Sequence, residues 1–158
     1  MINTPERGFT LIELLVVAII VGILGTLVAM TYSGVQAKNR NAERRVEINT
    51  LQSHLEAYYV EHSTYPSLKD LNTSNWRKAN LKDFSDDLLS DPRWKSTLTQ
   101  CTNDNVAVLA ASPIDGCYSY QATTADGGPC SDKKSTCTQY SLTALFEGNE
   151  KYVKTSLN

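Results

Sequence analysis

The chain has 158 residues, of which 41% are hydrophobic and 20% charged, so its composition excludes an intrinsically disordered polypeptide. The 15 Lys and Arg residues oppose 17 Asp and Glu residues, and a net charge of -2 excludes a strongly basic nucleic-acid-binding protein. An almost uninterrupted apolar stretch occupies residues 9–30, whereas the rest of the chain is polar and mixed. A simple cytosolic globular protein is therefore a poor description of this sequence.

The apolar stretch from Phe9 to Met30 is long enough to cross a bilayer. At about 1.5 Å per residue, a helix over this stretch spans roughly 33 Å. The apolar part of a secretory signal peptide is shorter, about 7–15 residues, and is followed by a small-residue cleavage site. No convincing site of that kind follows here, so residues 9–30 are predicted to form a transmembrane helix.

One residue in this stretch is unsuited to a passive anchor. Glu13 lies one helical turn after Phe9, and an acidic group in hydrocarbon costs about 2–3 kcal/mol. One interpretation is a carboxylate that reaches the lipid headgroups or is protonated. The other is that cleavage after Gly8 creates a cationic amino group, on the same chain or on a neighbouring copy, that neutralises the carboxylate. The short charged segment ending in Gly8 favours such a cleavage, because glycine enters a protease cleft without a side chain.

Gly8 followed by FTLIELLVVAII resembles the class III signal of type IV prepilins and related pseudopilins. The charged leader, Gly8, Phe9, Glu13 and the apolar run occur together, and the resemblance is strong over residues 1–60. It implies cleavage between Gly8 and Phe9 by a membrane-embedded prepilin peptidase and N-methylation of Phe9. It also implies that Glu13 pairs with the amino terminus of an adjacent subunit during filament assembly.

The resemblance implies three segments with different roles. Residues 1–8 are expected to be the cleaved leader peptide, and residues 9–30 the transmembrane and assembly half of a long helix. Residues 31–158 are expected to form the globular head, which includes the amphipathic half of the same helix.

The long helix is also predicted from the residues themselves. No proline occurs between Phe9 and Tyr65, so one continuous helix is expected from about residue 9 to about residue 63. Apolar side chains after Thr31 recur mostly at steps of three and four, which indicates one apolar stripe that packs on the head. The predicted stripe comprises Val35, Ala42, Val46, Ile48, Leu51, Leu55, Tyr58 and His62.

The final third of the chain shows strand patterns. Alternating residues at 106–111, 117–121 and 140–146 predict three strands, and a connection with short helical fragments is expected before them. The fold class is therefore predicted to be α+β. The resemblance implies a type IV pilin-like arrangement, in which one long N-terminal helix packs on an antiparallel sheet of about three strands.

Four cysteines lie in the same third of the chain. Cys101, Cys117, Cys130 and Cys137 lack the close spacing of a zinc site, so two disulfides formed in an oxidising compartment are predicted. Four cysteines permit three pairings, and the sequence does not choose among them. We favour Cys101 with Cys117 and Cys130 with Cys137.

Two signals conflict on the orientation in the membrane. Only Arg7 and the starting amine precede the apolar stretch, whereas Lys38, Arg40, Arg44 and Arg45 follow it, which by the positive-inside rule places the C-terminal part in the cytoplasm. The cysteines and the prepilin resemblance favour the outside. We give the cysteines and the resemblance more weight than the charge rule and expect the C-terminal part to lie outside. The four basic residues after the apolar stretch, which we call the basic cluster, are then expected to face lipid headgroups or neighbouring subunits.

No catalytic motif was recognised, so the chain is predicted not to be an enzyme and to hold no cofactor or metal. His54 and His62 lie two helical turns apart and are interpreted as packing or exposed residues. An acidic stretch is interpreted as a solvated helix face, with calcium binding as the less favoured alternative. The stretch comprises Asp83, Asp86, Asp87 and Asp91.

The resemblance implies a structural subunit of an extracellular type IV pilus, a fibre class associated with cell adhesion and twitching motility. Before assembly the subunit would be a single-pass inner-membrane protein surrounded by lipid. Its partners would be prepilin peptidase, minor pilins, other copies of itself and an inner-membrane assembly platform with a cytoplasmic ATPase. The alternative is a pseudopilin of a type II secretion or competence system. A third hypothesis is a membrane-tethered adhesin or binding module that keeps its leader.

Overall fold

The computed structural model describes residues 8–93, 101–103, 106–130 and 136–157. The chain divides into two compact units, Met1–Lys38 and Asn39–Asn158. Helix α1, Leu11–His62, contributes to both units, and every strand belongs to the second.

Helix α1 is a single uninterrupted element, which confirms the predicted helix over residues 9–63 to within two residues at each end. It ends where Ser63 adopts a left-handed backbone conformation, with φ of 54°, and Pro66 follows three residues later. A residue with positive φ cannot continue a right-handed helix, and proline restricts the residue before it.

One face of the second half of α1 packs on the head as predicted. Ile48, Leu51 and Leu55 are at most 3% exposed, and Tyr58 is half-buried against the same core. These residues follow one another at steps of three and four, so they lie on one side of the helix. The core-facing stripe is therefore narrower than the sequence pattern indicated.

The other members of the predicted stripe do not face the core. Val35, Ala42, Val46 and His62 are exposed, and Val46 is 63% exposed. Val46 lies two residues before Ile48, which at 3.6 residues per turn places the two side chains about 200° apart around the helix. The prediction merged two separate faces because it allowed a step of two residues.

The connection after α1 contains the expected short helical fragments. Helix α2, Leu68–Leu71, begins with a capping box between Ser67 and Asp70, and helix α3, Ser74–Asn80, follows closely. A 3-10 turn, Asp86–Leu89, then buries Leu89 in the core.

The head is built on a three-stranded antiparallel sheet with the order β3-β4-β5, which confirms the α+β fold class. Strand β3 is Ser119–Thr123, β4 is Gln139–Leu145 and β5 is Lys151–Thr155. The register pairs Tyr120 with Leu142 and Ala144 with Tyr152. The side chains that the head buries from this region are Tyr118, Tyr120, Ala122, Tyr140, Leu142, Ala144 and Phe146.

Two of the predicted strands are present, but the third strand of the sheet is a different segment. The strand that residues 106–111 contribute is β2, Val106–Ala107, which pairs with β1, Thr102–Asn103, in a separate two-stranded antiparallel sheet. Strand β5, Lys151–Thr155, was not predicted, because its charged side chains weaken the strand pattern. Lysine is tolerated there because β5 is an edge strand whose side chains are exposed or half-buried.

The expected exposure of the basic cluster is wrong for two of its four members. Arg44 is fully buried and donates to both carboxylate oxygens of Asp91, at 2.6 and 2.9 Å. Arg40 donates to both oxygens of Glu147, at 2.5 and 2.7 Å, and this hydrogen-bonded pairing lowers the pKa of Glu147 to about 2. These two cations therefore hold the head to the helix rather than facing headgroups or neighbours.

Two disulfides close the head in the pairing favoured from the sequence. The Cα atoms of Cys101 and Cys117 are 5.9 Å apart, and those of Cys130 and Cys137 are 5.8 Å apart. Cys137 is also tied to the end of α1, since its carbonyl accepts from the Tyr65 N–H at 2.8 Å. No described cysteine is free.

Candidate functional site at the start of the long helix

The bond between Gly8 and Phe9 lies just before helix α1. Both residues are exposed and non-helical, and the Phe9 side chain is 84% exposed. A protease needs an accessible backbone outside regular secondary structure, and this position meets that requirement. Residues 1–7 of the predicted leader lie outside the described residues. Cleavage after Gly8 and methylation of Phe9 stay predictions.

Glu13 forms a capping box with Thr10 at the first turn of α1. The Thr10 N–H and the Thr10 hydroxyl both donate to Glu13 Oε2, at 2.9 and 2.7 Å. The Thr10 hydroxyl in turn accepts from the Glu13 N–H at 3.3 Å. The first backbone N–H groups of a helix have no partner within the helix. The capping box gives the N–H groups of Thr10 and Glu13 side-chain acceptors, so neither needs a water molecule.

Thr10 was not among the predicted site residues, although the sequence carries a signal for it. The residues from Thr10 to Glu13 match the pattern of Ser or Thr followed three positions later by Glu, directly before an apolar run. Glu13 is therefore less isolated than expected, because one carboxylate oxygen has partners inside the chain. The second oxygen, Oε1, makes no hydrogen bond to any described residue and stays available to a cation on another molecule.

The apolar half of α1 has no cover from its own chain. Every residue from 11 to 29 is exposed, and the large aliphatic side chains are between 47% and 85% exposed. Among the described residues, α1 is the one helix whose length and composition suit a membrane crossing, and none of its apolar window is buried. Aliphatic surface of this extent needs lipid or other apolar helices around it.

The two histidines sit at the flank of the helix rather than in a reactive cluster. His54 packs edge-on against Phe84 at 5.2 Å between ring centroids, and partial burial lowers its pKa. His62 stacks on Tyr58 at 4.0 Å. Both contacts are aromatic packing, which agrees with the sequence interpretation.

The acidic stretch is divided between separate ion pairs. Asp86 binds Arg77 at 2.6 Å and Asp91 binds the buried Arg44, whereas Asp83 and Asp87 are exposed. In the part of the chain that the structure describes, no three His, Cys, Asp or Glu side chains converge as metal ligands. That the chain holds no cofactor or metal stays a prediction.

Comparison with known proteins matches the same amino-terminal segment. Residues 3–29 match the family model of the prokaryotic N-terminal methylation motif. The type II secretion system core protein G of Dickeya chrysanthemi is 37% identical over 62 residues, which are 39% of this chain and 40% of that protein. No solved structure matches the chain at a significant level.

Two further relatives come from species of Neisseria. The fimbrial protein of Neisseria meningitidis serogroup A is 37% identical over 65 residues, covering 41% of this chain and 38% of that protein. The type IV major pilin protein PilE of Neisseria gonorrhoeae is 39% identical over 72 residues, covering 46% and 41%. The chain thus spans about 40% of the length of the curated relatives it matches. The chain therefore carries the prokaryotic N-terminal methylation motif in its amino-terminal segment and is similar, over less than half of its length, to type II secretion core proteins and to type IV pilins.

Proposed function

We propose that the chain is a structural, non-enzymatic subunit of an extracellular type IV pilus. The observation that carries this proposal is the apolar half of α1, which is uncovered on all sides and begins with a carboxylate that keeps one oxygen unbonded. A subunit with such a helix is stable only in lipid or against other apolar helices. Its relatives include a fimbrial protein and a type IV major pilin protein of Neisseria, and this similarity supports the proposal that the chain assembles into a fibre.

In this proposal the precursor waits in the inner membrane as a single-pass protein with its head outside. Prepilin peptidase cuts the exposed bond between Gly8 and Phe9, and the new amino group on Phe9 is methylated but stays cationic. The two disulfides of the head support an oxidising compartment on the outer side.

Assembly then exchanges lipid for the apolar helices of neighbouring copies. An inner-membrane platform with a cytoplasmic ATPase extracts the subunit, and minor pilins take part in the same fibre. The free oxygen of Glu13 accepts the Phe9 ammonium of a neighbour and so sets the axial register. A buried carboxylate facing a buried ammonium is far more favourable than either charge alone.

The pairing is tested with Glu13→Ala and Glu13→Leu, using Glu150→Ala on the exposed β4–β5 turn as the matched control. We expect normal amounts of the Glu13 variants in the membrane but roughly tenfold less fibre on the cell surface, because an unpaired buried ammonium remains. The control should assemble normally. Fibre yields equal to the wild type for both Glu13 variants would reject the pairing.

The processing step is tested by mass spectrometry of the amino terminus of the native protein. The proposal expects a chain that starts at N-methylated Phe9. A chain that still starts at Met1 would reject both pilin and pseudopilin assembly and would favour a membrane-tethered adhesin or binding module.

A second candidate function is that of a pseudopilin, which is favoured by the match to type II secretion system core protein G. A pseudopilin shares the leader and helix but builds a short fibre that serves secretion. A deletion strain separates the two candidates. Loss of surface fibres supports a pilus, whereas loss of secreted proteins with surface fibres retained supports a pseudopilus.

A further inference from the structure

An open cleft with a volume of about 640 Å³ lies on the head beside strand β3. It is lined by residues of helix α2, of β3 and of the two loops that flank β3. Small-molecule sites in proteins are typically clefts of roughly 300–1,000 Å³ with a mostly apolar lining. The lining of this cleft is also mostly apolar, and its apolar members include Leu68, Ala111, Tyr120, Ala122 and Pro129.

The sides of the cleft are fixed by hydrogen bonds within the chain. The Asn72 side chain, at the end of α2, donates to the Leu109 carbonyl at 2.9 Å and accepts from the Leu109 N–H at 2.8 Å. On the other side, the Cys130 N–H donates to the Ala122 carbonyl at 3.1 Å, and Cys130 is bridged to Cys137. The cleft is therefore formed before any ligand binds, so that binding requires little ordering of the protein.

Most of the polar side chains in the cleft already have partners inside the head. The Ser67 hydroxyl donates to the Asp70 carboxylate at 2.7 Å, and the Tyr120 hydroxyl donates to the Pro66 carbonyl at 2.8 Å. The amide of Asn72 is occupied as described above. These groups are satisfied within the protein, so they do not call for a polar ligand.

Lys69 is the exception among the lining residues. Of the described residues that line the cleft, it alone is charged, and its side chain is exposed. Its ammonium group forms no ion pair with any described residue. The adjacent carboxylate, Asp70, does not line the cleft and is held in the capping box with Ser67. The cleft thus combines an apolar surface with a single cation.

We propose that this cleft binds a small apolar monocarboxylate, a molecule with one carboxylate and a hydrocarbon body. Lys69 binds the carboxylate, and the hydrocarbon body lies against the apolar lining, which removes it from water. A single lysine balances the charge of one carboxylate but not the charge of about −2 on a phosphate monoester. The site lies within the head, so the inference holds for a pilus and for a pseudopilus subunit alike.

The first test titrates the whole chain in detergent with 4-phenylbutanoate and with its neutral analogue, 4-phenylbutan-1-ol. Binding is measured from the NMR shifts of the backbone amides that line the cleft. For a ligand of this size we expect a dissociation constant of about 1 mM for the carboxylate, and binding of the alcohol at least about threefold weaker. Equal affinities for the two compounds, or no shifts at the cleft at about ten times that concentration, would overturn the proposal.

Variants at position 69 test the charge itself. Lys69→Met keeps the length of the side chain without its charge and should weaken binding of 4-phenylbutanoate at least about threefold, whereas Lys69→Arg should retain it. Lys82→Met, at an exposed lysine outside the cleft, is the matched control and should bind as the wild type does. Uptake of the compound by detergent micelles is the same for all four proteins. An unchanged dissociation constant for Lys69→Met would overturn the proposal.

A third variant tests whether the hydrocarbon body lies in the cleft. Ala111→Trp places a large side chain in the cleft, and because Ala111 is exposed, the melting temperature should stay that of the wild type. We expect the shifts on titration with 4-phenylbutanoate to disappear. Binding as strong as in the wild type would show that the compound lies elsewhere and would overturn the proposal.

Discussion

At the scale of single residues, Thr10 holds the carboxylate of Glu13 through two hydrogen bonds. The capping box binds Oε2 to Thr10 and leaves Oε1 without a hydrogen bond to any described residue. In the assembly proposed above, Thr10 is a positioning residue that holds the Glu13 carboxylate before a neighbour binds it. A side chain that is already ordered loses less conformational entropy when it binds.

This role can be tested with Thr10→Val, which keeps the shape of the side chain but removes the hydroxyl. We expect lower fibre yield at unchanged membrane levels, because loss of an N-cap costs about 1 kcal/mol and frees the Glu13 carboxylate. Thr10→Ser retains the hydroxyl and should restore assembly. Equal fibre yields from Thr10→Val and Thr10→Ser would show that the capping box has no part in assembly.

At the scale of elements, the turn between β4 and β5 is held to helix α1 by one carboxylate. Glu147 accepts both hydrogen bonds from Arg40, and its backbone N–H donates to the Asn41 side chain at 2.9 Å. The bidentate guanidinium pairing is what lowers the pKa of Glu147 to about 2. The contact therefore depends on pH.

The direction of this dependence follows from the lowered pKa. The pairing stabilises the folded head fully above pH 4.5, and this stabilisation is lost as the pH falls toward 2. Glu147→Gln should cost about 1 kcal/mol at neutral pH and should make the melting temperature less sensitive to pH between 5 and 3. The control is Glu150→Gln in the same turn. If the melting temperature of Glu147→Gln fell with pH as steeply as that of the wild type, the pairing of Glu147 with Arg40 would not be the cause of the pH dependence.

The sequence predicts some elements well and others poorly, for physical reasons. Helix α1 is predictable because a long run without proline and with continuous apolar or periodic residues has few alternatives. The two faces of its second half are harder to separate, since Val46 and Ile48 are equally apolar and only packing distinguishes them. Strand β5 has a weak signal because an edge strand carries charged residues. The partners of Arg40 and Arg44 lie far along the chain, so no local pattern reveals them.

At the scale of the whole molecule, the head buries a modest core and relies on its two disulfides. The bridge from Cys101 to Cys117 closes a separation of 16 residues, whereas that from Cys130 to Cys137 closes 7. Restricting the unfolded chain stabilises a protein more when the closed loop is longer.

The two disulfides should therefore contribute unequally to the free energy of unfolding. Replacing both Cys101 and Cys117 by Ala should lower the free energy of unfolding by about 3 kcal/mol, and replacing Cys130 and Cys137 by about 2 kcal/mol. Denaturant titration of the purified protein in detergent measures both values. An equal or reversed order would show that native packing around the bridges outweighs the restriction of the unfolded chain.

The attachment of Cys137 has a consequence for the disulfide that it forms. Its carbonyl is bound by the Tyr65 N–H, its N–H donates to the Thr64 hydroxyl at 3.0 Å, and its sulfur is bridged to Cys130. Three separate attachments therefore hold Cys137, two through its backbone and one through its sulfur. Loss of the disulfide alone should thus leave Cys137 bound to Thr64 and Tyr65, next to the end of α1.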